Sequence, residues 1–193
     1  MTGDKLALGA VAALAALGLA KRRGSRGEYT EQFADLVRSG DLDYARELAT
    51  VAGVPLDLSG ADLISVDLNG ANLTGADLSK AILPYADLRF AKLIRANLTG
   101  ADLSVARLHK ADLTGADLSG ANLWGVIITS ANLSGADLRD VDLTYSDLRG
   151  SNLSGASLRG ANLTGIRYTI DSTWPDIDTT WPDGFTPPPP RKK

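Results

Sequence analysis

A chain of 193 residues with 44 % apolar content is long enough to bury a core, but only 6 % of it is aromatic, so that core is not a mixed-size jigsaw. With no cysteine and a single histidine, His109, it has no thiol nucleophile, disulfide framework or His/Cys metal cluster. A formal net charge of −3 is too mild for strong electrostatic steering and argues against nucleic acid as a partner.

The first distinctive segment is Leu6 to Ala20, an uninterrupted apolar run between Asp4-Lys5 and Lys21-Arg22-Arg23. As a helix it is about 22 Å long, short of a hydrocarbon core of roughly 30 Å, a mismatch that snorkelling by Lys5 and Lys21 would ease. The run admits three readings: a short membrane anchor, a signal peptide ending near Gly18-Leu19-Ala20, or an Ala-rich helix packed on protein. The basic residues after the run would hold everything downstream in the cytoplasm, and they sit on the wrong side for a signal peptide. Residues 1–20 are thus expected as an apolar helix, and 21–27 (KRRGSRG) as a flexible basic linker suited to anionic lipid.

Residues 28–55 carry two short helical patterns. Phe33, Leu36 and Val37 share one face of Glu28 to Arg38; Leu42, Ala45, Leu48 and Ala49 share one of Leu42 to Ala52. Ser39-Gly40 breaks the pair, Asp41 is placed to N-cap the second, and Gly53 with Pro55 ends it. A hairpin this small does not fold alone, and its expected use is to cover the open end of the repeat region that begins at Leu56.

From Leu56 the chain repeats every five residues without a slip: LDLSG-ADLIS-VDLNG-ANLTG and onward to Gly165. The central residue recurs from Leu58 to Leu163 in 22 repeats, Leu in all but Ile128. Two residues earlier stands a small residue, usually Ala, with Val66, Val126, Val141, Ser146 and Ser151 as variants. Five matches neither the 3.6 of a helix nor the 2 of a strand; it fits a chain that turns a corner after every repeat, with two side chains in and three out. Stacked leucines then fill the interior, which explains the shortage of aromatics.

This A(D/N)LxG pattern resembles the pentapeptide-repeat family over 56–166. The resemblance implies an all-β solenoid, a right-handed quadrilateral β-helix with four repeats per coil. Twenty-two repeats would give about 5.5 coils and a rod roughly 26 Å long at about 4.8 Å per coil. Residues 20 apart would stack on one face. The family is common in bacteria, so the resemblance implies a bacterial source.

After Ile166 the pattern ends, and 167–193 are expected to form a capping segment and a Pro-rich tail. The Thr-Trp-Pro steps at Thr173–Pro175 and Thr180–Pro182 resemble the Trp-Pro tails of some family members. Aromatics would cover the last coil, and prolines would refuse further strand pairing.

The Asp column through Asp57, Asp77, Asp117 and Asp137 invites a metal or acid–base reading, but Asp and Asn there belong to the repeat, serving turns and backbone hydrogen bonds. His109 reads as an exposed surface residue. No catalytic, cofactor or metal residue is therefore assigned. Departures from consensus at outward sites are more informative. On the face of Leu63, Leu83, Leu103, Leu123 and Leu143 they are Ile64, Pro84, Tyr85, Val105, Trp124 and Tyr145, a candidate protein-contact stripe or a packing site for the protein's own hairpin or tail. The neighbouring face mixes Arg89, Arg107, His109, Lys110 and Arg149 with Asp67, Asp87 and Asp147, as a solvated face does.

The expected function is a non-catalytic interaction or scaffold module for a protein partner that the sequence does not name, tethered to the cytoplasmic face of a bacterial membrane or else soluble in the cytoplasm. A different expectation comes from family members that mimic DNA and bind DNA gyrase, as in quinolone resistance. Mimicry needs a strong field of one sign, whereas 56–166 carry 12 Asp against 9 Lys plus Arg. A third is a structural part of a membrane-associated assembly, docked through the stripe.

Overall fold

The computed structural model describes residues 27–52, 55–169 and 179–186. Helix α1 (Gly27–Arg38) and helix α2 (Leu42–Ala52) form the hairpin. Phe33, Val37, Leu42, Ala45, Leu48 and Ala49 are buried as the helical period selects, Ala34 joins them, and Leu36, expected on the same face, is half-buried against the core. α1 ends in a Schellman motif: the Asp41 N–H donates to Leu36 O at 2.8 Å and the Gly40 N–H to Val37 O at 3.1 Å, with Gly40 at φ +87°. Asp41 then stands at the N-cap of α2, its carbonyl accepting from the Ala45 N–H at 3.0 Å.

Beyond the hairpin the chain winds in coils of 20 residues, shown by parallel bridges from Asp57↔Asp77 to Asp147↔Arg167. We name the four faces by their first central leucine: I through Leu58, II through Leu63, III through Leu68 and IV through Leu73. Central and small residues point inward, and from Leu73 to Leu158 these columns are buried throughout. The inward Ser146 and Ser151 hydroxyls donate to Leu123 O and Ile128 O, so the two polar replacements are satisfied inside. Continuous strands do not form. Two of every five residues are spent on a turn, and each face keeps a single bridge per repeat.

Backbone accounting explains the consensus. Within a repeat such as Ala76–Lys80, the Leu78 N–H donates to Asn97 O and the Lys80 N–H to Thr99 O of the next coil, while the Asp77 N–H donates back to Leu56 O. The Ala76 N–H closes the preceding turn onto Leu73 O. The remaining donor, Ser79 N–H, goes to Asp77 Oδ1 at 3.1 Å. Every Asp or Asn in this column serves the N–H two residues on, from Asp57 with Ser59 to Asn162 with Thr164. This Asx turn is what the repeat requires of its acid, since a buried donor without a partner costs about 1–3 kcal/mol. The last residue of each repeat has positive φ, from Gly60 to Gly165, hence its preference for glycine.

Both ends of the rod are covered. The first coil has no coil before it, so its outward carbonyls lack ladder partners; Arg38 Nε donates to Asp62 O at 2.8 Å and an Arg46 guanidinium N–H to Asn72 O. At the other end Thr180 pairs with Ser157 in a parallel bridge and the Thr179 hydroxyl donates to Leu153 O at 2.7 Å. Trp181 packs on the core and stacks on Phe185, ring centroids 5.2 Å apart. The second Thr-Trp-Pro step thus sits on the last coil; the first lies outside the described residues. So does the apolar run Leu6–Ala20, and no helix among the described residues is long and apolar enough to cross a membrane.

Candidate functional site

The large apolar side chains exposed among the described residues are Ile64, Ile82, Tyr85, Phe90, Trp124, Ile127 and Tyr145. All of them lie on faces II and III, which share a corner. Of the stripe expected from sequence, Ile64 (54 % exposed), Tyr85 (63 %), Trp124 (45 %) and Tyr145 (63 %) stand open to solvent, and Pro84 and Val105 are half-buried. The column of Tyr85, Val105 and Tyr145 occupies the corner position of the turn at φ +61°, +58° and +60°. Left-handed backbone costs a non-glycine residue about 1–2 kcal/mol, and a β-branched valine tolerates it least. The Tyr145 ring lies across Gly165, where an added Cβ would fall 2.6 Å from Cδ1.

Reading the stripe only at the two sites after each leucine missed Ile82, which stands where the repeat wants Asp or Asn. The residue it would have served is Pro84, which has no N–H to donate. Acceptor and donor are deleted together in AILPY, and an apolar patch opens without stranding a backbone donor. That coupling is visible in the sequence as an apolar residue in the Asp column with Pro two places later. Ile127, also in the Asp column, has no such compensation.

Beside Phe90 and Ile127, face III carries internally paired charges. Asp87 binds Arg89 at 2.5 Å and lies 3.9 Å from Arg107; Asp147 binds Arg149 at 2.6 Å. The same Asp-x-Arg device recurs on face I, where Asp137 meets Arg139 at 2.5 Å. Hydrogen bonds from these arginines hold the carboxyls of Asp87, Asp137 and Asp147 below the ordinary carboxylate range. His109 is half-buried, a correction to the exposed residue expected. Its Nδ1 lies 2.7 Å from Thr129 Oγ1 and its ring meets Phe90 edge-on at 5.9 Å, while Lys110 Nζ sits 5.8 Å over the Phe90 ring. Face II differs in charge: its acids are Asp62, Asp102 and Asp142, and no Lys or Arg occurs on it.

A profile for pentapeptide repeats matches in eight copies across residues 57–167. The chain belongs to the pentapeptide-repeat family. Its solved relatives include a pentapeptide repeat protein, Rfr23, from the cyanobacterium Cyanothece 51142, 29 % identical, over 65 % of this chain and 90 % of that one, with a TM-score of 0.50. HetL, from the cyanobacterium Nostoc sp. strain PCC 7120 and involved in heterocyst differentiation regulation, is 32 % identical over 67 % of this chain and 69 % of its own, TM-score 0.37. QnrB1, a plasmid-mediated fluoroquinolone resistance protein, is 16 % identical over 66 % and 76 %, TM-score 0.37. No curated protein matches the chain by sequence. Pentapeptide-repeat proteins form right-handed quadrilateral β-helices and serve as structural or interaction modules, and the coil of 20 residues is that fold.

Proposed function

We propose that this pentapeptide-repeat rod is a non-catalytic scaffold that binds a protein partner through face II, with Ile64, Pro84, Tyr85, Val105, Trp124 and Tyr145 as contact residues and Ile82 added to them. The observation that carries this reading is the one-sided placement of the exposed apolar side chains on a rod whose interior is the same on all four sides. Exposed apolar stripes of this kind mark contact sites, and Trp and Tyr are the residues that dominate binding energy there. Leu6–Ala20 serves as the tether to the cytoplasmic face of a bacterial membrane, a reading supported by the apolar run and the basic residues after it. Loss of partner recovery with Trp124→Ser and Tyr145→Ser, at unchanged thermal stability, is the expected result of a pull-down; full recovery would sink the docking face. Carbonate and detergent extraction of the full chain tests the tether: release into carbonate, before detergent is added, would rule out an inserted anchor.

A DNA-mimic role on gyrase is less well supported. The acids of faces I and III that pair with arginine two residues on do not build a one-sign field. Purified protein at micromolar concentration is expected to leave gyrase supercoiling unchanged.

A further inference from the structure

Resting on that docking reading, we infer that face II is built to hold a proline-rich, basic segment of a partner protein in the polyproline II conformation, with Lys or Arg at every third residue. Two parallel tracks run along the face. One is acidic: Asp62, Asp102 and Asp142 share a column and alternate with Ile82 and Asn122 through the bridges. The other is aromatic and lies on the far side of the buried leucines: Tyr85, Trp124 and Tyr145.

The spacing of the acids selects the conformation of the ligand. They recur every second coil, about 9.6 Å apart at a stacking distance near 4.8 Å. A polyproline II helix returns to the same side every three residues, about 9.3 Å. A β-strand repeats its side in steps of about 6.7 or 13 Å, which misses the acids. An α-helix offers a heptad step of about 10.5 Å, and its mismatch is three times that of polyproline II.

The chemistry agrees with the spacing. Proline rings pack on exposed Tyr and Trp, and a preformed polyproline helix loses little entropy on docking. Such a helix has unpaired carbonyls, and the Trp124 indole N–H and the Tyr85 and Tyr145 hydroxyls are donors that make no hydrogen bond among the described residues. Hydrogen bonds to the three acids use Oδ1, for the N–H of Ile64, Ser104 and Thr144, the Thr144 hydroxyl and the Asn122 amide, which leaves Oδ2 to a ligand cation.

The test is a titration of the full chain into a labelled peptide of four Pro-Pro-Lys repeats, read by fluorescence anisotropy, with a Pro-Pro-Glu peptide as control. Saturable binding of the lysine peptide only is expected. Trp124→Ser or Tyr145→Ser should weaken it about tenfold, and Asp102→Asn with Asp142→Asn should weaken it and flatten its salt dependence. Asp117→Asn on face I should change nothing. Equal binding by every variant, or by both peptides, overturns the inference. No peptide binding, together with lost partner recovery in the Trp124 and Tyr145 variants, overturns polyproline II and leaves the docking face standing; if recovery is unchanged as well, both fall. Residues 187–193 of this chain read PPPPRKK. An affinity that weakens as unlabelled protein is concentrated would therefore place a second copy on face II and overturn the separate partner.

Discussion

Faces IV and I of the rod present mostly Ser, Thr, Asp and Asn and turn on glycine in most repeats, with the charged Lys80, Arg95 and Asp140 as the exceptions. Faces II and III turn at Tyr85, Phe90, Val105 and Tyr145 in the same backbone conformation and carry Trp124, Ile82 and Ile127 besides. The interior makes no such distinction, because from Leu73 to Leu158 its leucine columns are equally buried on all sides. What differs is therefore not demanded by the fold. Exposed apolar and aromatic residues held in left-handed backbone, in a column where glycine or a charged residue serves elsewhere, mark a surface kept for something other than stability.

The largest expected effect tests the sameness of the interior. Leu103→Ala beneath face II and Leu113→Ala beneath face IV should each lose about 2–5 kcal/mol by denaturant unfolding, and by similar amounts. A large inequality would mean that the two sides differ inside as well. The next tests the corners. Gly120→Val has open space for its side chain, so its loss of about 1–2 kcal/mol would come from positive φ alone. Val105→Gly should go the other way, gaining up to about 1 kcal/mol, less what glycine loses in chain entropy.

A double-mutant cycle sharpens the account of the apolar patch. Ile82→Asp should add little stability beside Pro84, which has no N–H, but should restore about 1 kcal/mol in the Pro84→Ala background, where a donor has returned. Additivity would show that the two departures are unrelated. The smallest effect is with pH. The carboxyls of Asp87, Asp137 and Asp147 are held low in the folded state, so the stability they lend is complete above the ordinary carboxylate range near pH 4 and is lost as pH falls through their lower folded values. Arg89→Gln should shrink that acid-side loss slightly, since solvent screens the pair.

The five-residue turn and the inward columns were legible because one residue pattern repeats without a slip, whereas the step of 20 from Leu58 to Leu78 came from the resemblance to the pentapeptide-repeat family, since a period of five leaves the number of repeats per coil open. The hairpin faces were legible from Phe33, Val37, Ala45 and Leu48. Ile82 was not, because its meaning depends on Pro84 and on knowing that the Asp column serves a backbone donor. Nor were Arg38 and Arg46 as caps, since nothing local says that their guanidinium groups reach carbonyls more than 20 residues away. The half-burial of His109 comes from stacking against Phe90 and Thr129, a neighbourhood that only the coil creates.

The most direct test of a surface kept for binding is a paired measurement on Tyr85→Gly combined with Trp124→Ser: melting temperature of the purified chain and recovery of its partner. The account predicts a melting temperature equal to or above that of the parent, with recovery lost. A fall in melting temperature with recovery intact would make these residues part of the rod's own packing and contradict it.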